Sequence, residues 1–162
     1  MGVSSCGKSS IGAAVAKRLG AKFIDGDDLH PKANILKMKS GNALNDEDRA
    51  PWLERINDAA FSIEMKSEEG VLVCSALKRR YRDQIRQGNE KVTFIHLHGE
   101  FELVKQRMQE RADHFMPVEL LKSQFETLEM PDSDEQDVVQ ISIDGSFDDV
   151  VERCVTAIQA ER

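Results

Sequence analysis

Gly2-Val3-Ser4-Ser5-Cys6-Gly7-Lys8-Ser9 has the spacing G-x-x-x-x-G-K-[ST], in which a loop turns successive backbone N–H groups inward around phosphate. The glycines supply backbone freedom, the lysine reaches the β- and γ-phosphates, and the last hydroxyl suits Mg2+. The chemistry is the handling of a nucleoside triphosphate such as ATP or GTP. Gly2, Val3, Ser4, Ser5, Cys6, Gly7, Lys8, Ser9 and Ser10 form the candidate cradle, with Lys8 as phosphate cation and Ser9 as metal ligand. Cradling makes no use of the Cys6 side chain, for which a redox role is the alternative.

Phe23-Ile24-Asp25-Gly26-Asp27-Asp28-Leu29-His30 sets several carboxylates at the end of an apolar run. One carboxylate there can hold a water on Mg2+ while another accepts a proton from an attacking hydroxyl. Strand alternation predicts that Asp25 and Asp27 share a face, with Asp28 offset. The plainer alternative is a turn, since Asp and Gly are both turn formers. Further on, Arg49 offers a bidentate fork to a carboxylate or phosphate. Lys78, in the run Lys78-Arg79-Arg80-Tyr81-Arg82, can bind an anionic substrate, although not every cation of that run can face inward. Arg107 and Arg111, one helical turn apart, suit a lid that closes on transferring phosphate. Their alternative is a solvated helix face.

These groups need elements to aim them. A helix is predicted from Ser9 to Leu19, ending at Gly20, followed by a short strand over Lys22–Asp25. Pro31 and Gly41 bracket a small helix, and Asp46 is the expected cap of a longer one. Val71–Cys74 is a continuous apolar run, as in a parallel strand buried on both faces. Helix over 81–87, strand over 92–97, and helices over 101–111 and 118–128 follow. A last strand covers 138–143, and Ser146 with Asp149 forms a capping box for a final helix. Strands alternating with helices predict an α/β fold with a mainly parallel sheet, whose ligands bind beyond the strands' carboxyl ends. Only Met1 precedes the phosphate loop, so the strand that ordinarily feeds such a loop is expected to be missing.

The 162 residues suit one domain, and a net charge of −7 argues against a general nucleic-acid surface. No apolar run approaches the ~20 residues that span a bilayer. Three scattered cysteines, without a CxxC pair, fit reduced thiols in the cytoplasm. His30, His96, His98 and His114 show no metal-ligand spacing.

The chain resembles the gluconate kinases, small-molecule P-loop kinases related in fold to shikimate and adenylate kinases. The likeness rests on the phosphate loop, Asp25-Gly26-Asp27-Asp28-Leu29-His30-Pro31, Asp46-Glu47-Asp48-Arg49 and Pro51-Trp52-Leu53. It continues through Cys74-Ser75-Ala76-Leu77-Lys78, His114-Phe115-Met116-Pro117 and Ser123-Gln124-Phe125-Glu126, and so covers nearly the whole chain.

The resemblance implies a three-layer P-loop kinase domain over 1–162, with a substrate-binding insert at about 29–53 and a lid at about 107–117. It implies transfer of phosphate from ATP, with Mg2+, to the 6-hydroxyl of D-gluconate, and a homodimer. Asp27 takes the part of general base and Asp25 that of the Mg2+-side carboxylate. His30, Arg49, Lys78 and Arg82 become ligands of the sugar acid, and Arg107 and Arg111 lid arginines. Ser5-Cys6 departs from the family's usual Gly-Ser, and the family's strand before the loop points to an N-terminally shortened chain. The other readings are a kinase of another hydroxy acid such as shikimate, or a nucleotide-binding protein without turnover. Against shikimate, Ser75-Ala76-Leu77-Lys78 lacks that family's run of glycines.

Overall fold

Helical and continuous apolar patterns alternate along the chain, and the computed structural model describes residues 1–110 and 117–161. Helix α1 (Lys8–Leu19) buries Ile11, Gly12, Val15 and Ala16 along one side and ends at Gly20, in the left-handed region at φ 65°. Strand β1 (Lys22–Asp25) pairs in parallel with β2 (Gly70–Val73), Asp25 opposite Val73. Strand β3 (Phe94–His98) pairs in parallel with β4 (Val138–Ser142), Leu97 opposite Ile141. Between them run α2 (Lys32–Lys39), α3 (Asp46–Met65), α4 (Arg79–Arg86), α5 (Phe101–Glu110) and α6 (Val118–Thr127), and α7 (Phe147–Ala160) closes the chain.

The parallel strands are covered on both faces, which gives three layers. A Cβ on Gly12 of α1 would meet Val73 Cγ2 at 2.7 Å, so α1 sits tightly on one face of β2. Leu72 and Cys74 turn the other way and pack with Trp52, Leu53 and Ile56 of α3. Helix α7 joins α1 on the first face, burying Val150, Val151, Cys154 and Val155. Its capping box forms as the spacing predicts, Ser146 accepting the Asp149 N–H and Asp149 accepting that of Ser146. Asp46, predicted to cap α3, does not. Asn45 caps it through a box with Asp48, which leaves Asp46 in the first turn with its carboxylate available elsewhere.

Among the described residues the strands form two separate pairs, and Met1 lies between them. The Met1 nitrogen donates to Ile95 O at 2.6 Å and its carbonyl accepts the Leu97 N–H at 2.9 Å, the pattern of a parallel partner opposite His96. On the other side the Gly2 N–H donates to Ser75 O at 3.1 Å. A cavity of about 770 Å³ continues behind Met1, between Val71–Cys74 and Phe94–Ile95, walled by Val15 of α1 and Ala60 of α3. Met1 and Gly2 thus bridge the two strand pairs at the entry to the phosphate loop.

An engineered chain with four apolar β-branched residues added ahead of Met1 is expected to pair with both facing strand edges and fill this cavity. Thermal melting should rise by several degrees, each kcal/mol being worth about 2–4 °C at this chain length. Identical melts would show that the cavity does not accept a strand.

Candidate active site

The cradle takes its shape from three residues with positive φ: Gly2 at 144°, Ser5 at 64° and Gly7 at 92°. Gly2 is confined as well, since a Cβ there would sit 2.5 Å from Leu97 O. Ser5 holds a left-handed conformation in which glycine is less strained, the backbone consequence of the Ser-Cys departure. Cys6 is 4% exposed and packs into the core, away from any redox partner that solvent could supply. Gly7 precedes α1 without a side-chain cap, and no acidic residue lies in the helix's first turn, so its N–H groups are left to an anion. Lys8 Nζ donates to Val3 O at 3.0 Å, folding back over the loop. Ser9 and Ser10 are exposed on the first turn of α1.

The carboxylates at the end of β1 are arranged differently from strand alternation. The strand stops at Asp25, and Gly26–Leu29 forms a 3-10 turn in which Asp25 Oδ1 accepts the Asp27 N–H at 3.0 Å. Asp27 therefore projects from a turn rather than from the strand face of Asp25. A Cβ on Gly26 would collide with the Val73 carbonyl, so this turn can press against β2 only with glycine. Trp52 Nε1 donates to Gly26 O at 2.7 Å, and the Trp52 ring stacks on His30 with centroids 4.2 Å apart. Asn34 Nδ2 reaches His30 Nδ1 at 3.2 Å and Asp48 O at 2.9 Å. Burial lowers the His30 pKa from 6.5, opposed by Asp27 and assisted by Arg49, so the imidazole is neutral at pH 7. With Nδ1 accepting, its proton sits on Nε2.

Arg49 and Lys78 come together around Tyr81 and Asp46. Tyr81 OH donates to Asp46 Oδ1 at 2.5 Å and accepts from Arg49 Nη1 at 3.3 Å. Lys78 Nζ stands 3.7 Å and Arg49 Nη1 3.9 Å from the same carboxylate, whose other oxygen takes Arg80 at 2.9 Å. The Tyr81 hydrogen bond, then Lys78, Arg80 and Arg49, lower the Asp46 pKa and keep the carboxylate ionised.

Arg82 is not a substrate ligand. It is 0% exposed, and its donors are spent on Glu135 Oε1 and Oε2 and on the Ala76, Leu77 and Glu129 carbonyls. Its guanidinium is the inner member of the Lys78–Arg82 run and works as a staple for the loop after β2, where Ala76 takes a φ of 46°. Arg107 departs from the lid reading too. Its Nη2 donates to Ile143 O and Gly145 O, both at 2.9 Å, bracing the turn after β4. Arg111, with residues 111–116 of the expected lid, lies outside the described residues.

The spacing of residues does not reveal Asp46, Tyr81, Glu135 or Gln124. Asp46 and Arg49 are three apart on α3 and Lys78 and Tyr81 three apart at the start of α4, which places each pair on one side, but the pairs meet only in the fold. Gln124 on α6 gives no local signal; its Oε1 accepts the Ser4 N–H of the cradle at 2.6 Å.

The groups present fit a magnesium nucleotide. Mg2+ keeps most of its waters and takes only one or two protein oxygens beside substrate phosphates, so a full protein cage is not required. The exposed Ser9 hydroxyl beside the uncapped N-terminus of α1, with Asp25 at the end of β1, is a donor set of that kind.

A phosphate loop opening α1 beneath parallel strands, with carboxylates at the next strand end, defines a small-molecule kinase of the P-loop class. Residues 4–159 match the family model described as shikimate kinase. The chain is 57% identical to the thermosensitive gluconokinase of Escherichia coli K12, covering all of this chain and 87% of that one. It is 46% identical to the thermoresistant gluconokinase of the same organism, covering 98% and 91%. The crystal structure of a gluconokinase from Sinorhizobium meliloti 1021 superposes with a TM-score of 0.87 at 41% identity, covering 99% and 89%. Within that wider group, the chain belongs to the gluconokinase family.

The Arg82 staple has a pH signature. Arg82, helped by Arg86 and opposed by burial, brings the Glu135 pKa from 4.5 down to about 2. A depressed carboxyl pKa gives stability that is complete above the unfolded value and lost as pH falls from about 4.5 through about 2. Glu135→Gln should lower the melting temperature at pH 7, since it leaves a buried charge unpaired at a cost of about 3–5 kcal/mol. It should also flatten the acid limb of a melting-against-pH curve. Parallel acid limbs for the two proteins would refute this assignment.

Proposed function

We propose that the protein transfers the γ-phosphoryl group of ATP to the 6-hydroxyl of D-gluconate, giving 6-phospho-D-gluconate and ADP. The observation that carries the reading is the position of Asp27. It stands in the turn after β1, capped by Asp25, which Gly26 lets press against β2 and which Trp52 ties to α3, the helix that carries Arg49. Full-length likeness to gluconokinases supports the same substrate.

The chain's own groups divide the work. The loop N–H groups beyond Gly2, whose own N–H is spent on Ser75 O, and Lys8 hold the phosphates, while Arg49 and Lys78 draw in the carboxylate and set which end of the sugar acid points to ATP. Asp27 accepts the hydroxyl proton as that oxygen attacks the γ-phosphorus and the bond to the β-phosphate oxygen breaks. Mg2+, held by Ser9 and Asp25, would neutralise phosphate charge when bound with the nucleotide. Residues 29–53 serve as the substrate segment of a single domain, a placement supported by Asn34 and Trp52 both meeting His30, with Asn34 also bonded to the Asp48 carbonyl. The free thiols of Cys6, Cys74 and Cys154 support a cytoplasmic enzyme. Exposed Ile35, Leu36 and Met38 on α2 give a homodimer an apolar patch to bury.

Purified protein given ATP, Mg2+ and a panel of sugar acids, with shikimate included, should turn over gluconate fastest. Asp27→Asn should cut kcat by about 10²–10⁴-fold while nucleotide binding persists. Turnover of another alcohol with none of gluconate would overturn the assignment. ATP binding without turnover of any alcohol would leave a nucleotide-binding protein.

A further inference from the structure

Arg49 and Lys78 differ from Arg82 and Arg86 in how little of their bonding capacity is spent. Arg82 has all its donors engaged, and Arg86 is tied to Asp83, Glu135 and Asp137. Arg49 makes one long hydrogen bond, to Tyr81 OH at 3.3 Å, and stands 3.9 Å from Asp46. Lys78 lies 3.7 Å from Asp46. Both cations sit 5.6 Å from the Tyr81 ring centroid, within reach of its π-face.

The direction of the hydrogen bonds is fixed. A tyrosine hydroxyl has one proton, and here it is committed to Asp46 Oδ1. A lone pair is left for Arg49, so the hydroxyl can act on the guanidinium only as acceptor. Asp46 in turn has its best contacts elsewhere, with Tyr81 at 2.5 Å and Arg80 at 2.9 Å. The carboxylate therefore attracts Arg49 and Lys78 without closing on them. Tyr81 is 6% exposed and packs in the same cluster as Trp52, the residue that stacks on His30. Tyr81 is anchored in the core, while Asp46 and the two cations gathered around it are about one-third exposed.

We infer that Tyr81 and Asp46 are positioning residues for carboxylate recognition: they hold Arg49 and Lys78 convergent, with most of their donors free for the carboxylate of the acceptor. The inference rests on the sugar-acid reading above and adds the device that makes the kinase select an acid over a neutral polyol. A cation held by long contacts to a tyrosine oxygen and a shared carboxylate loses little motion when substrate arrives. Unheld, both side chains must give up rotamer freedom at that moment.

The test compares Tyr81→Phe and Asp46→Asn with the parent chain, using D-gluconate and D-glucitol, which carries an alcohol where gluconate has its carboxylate. Gluconate turnover by the parent chain is measured first; its absence would count against the sugar-acid reading itself, and this device with it. Given that turnover, Tyr81→Phe should raise the gluconate KM by about tenfold, the effect of one hydrogen bond to a charged group. kcat and the KM for ATP should stay within about twofold, and the variant should be no faster or slower on glucitol. Asp46→Asn, at a partly exposed position, should shift the gluconate KM in the same direction and serves as the second variant if Tyr81→Phe folds poorly. An unchanged gluconate KM in a folded variant would overturn the inference. A fall in KM for Asp46→Asn would also overturn it, since Asp46 would then be a competitor of the substrate. Equal losses on gluconate and glucitol would do the same.

Discussion

The Arg82–Glu135 ion pair governs the ligand end of this protein. A guanidinium buried away from water is tolerated only when each N–H finds an acceptor. Arg82 meets that demand with two carboxylate oxygens and three carbonyls. The acceptors come from the loop after β2, from the end of α6 and from the segment leading to β4. Satisfying one side chain thereby sets the relative positions of three parts of the chain. Lys78 follows directly from the loop so fixed, and Tyr81 lies one residue before Arg82 on α4. The weakly held cations at the surface depend on the tightly held one beneath them.

Glycine and close packing do the corresponding work at the phosphate end. Gly2 admits the Leu97 carbonyl, Gly12 admits Val73, and Gly26 lets the turn after β1 press against β2. Each removes a side chain where two backbone segments must approach. The acidic turn and the helix that the phosphate loop opens are thereby both drawn close against β2. Specific chemistry here rests on the absence of three Cβ atoms as much as on charged groups.

Local pattern explains why much of this could be read from the chain. The phosphate loop, the stop of α1 at Gly20, the β2 apolar run and the Ser146–Asp149 box are each decided within a few residues. The misreadings arise where distant groups decide. In Lys78-Arg79-Arg80-Tyr81-Arg82 nothing local tells which cation turns inward, because the deciding carboxylate, Glu135, is 53 residues away. Arg107 is claimed by carbonyls after β4 that no helical periodicity announces. Asp46 gives up the cap to Asn45 because the reciprocal bond with Asp48 satisfies two backbone ends together. Asp25 and Asp27 lose strand alternation because the strand ends between them and Asp25 caps the turn that follows.

The bond from the Ser4 N–H to Gln124 has a consequence for the order of events. A phosphate oxygen that takes this N–H takes it from a side chain on α6, 120 residues further along the chain. Nucleotide entry is then an exchange: the incoming anion replaces an amide oxygen already in place, and the enthalpy of that one contact largely cancels. What remains is a matter of place. Gln124 lies in the second half of α6, and Glu129, just past that same end, is tied to Leu77 and Arg79. The contact that nucleotide displaces and the contacts that hold the loop before Lys78 therefore belong to one short stretch of chain.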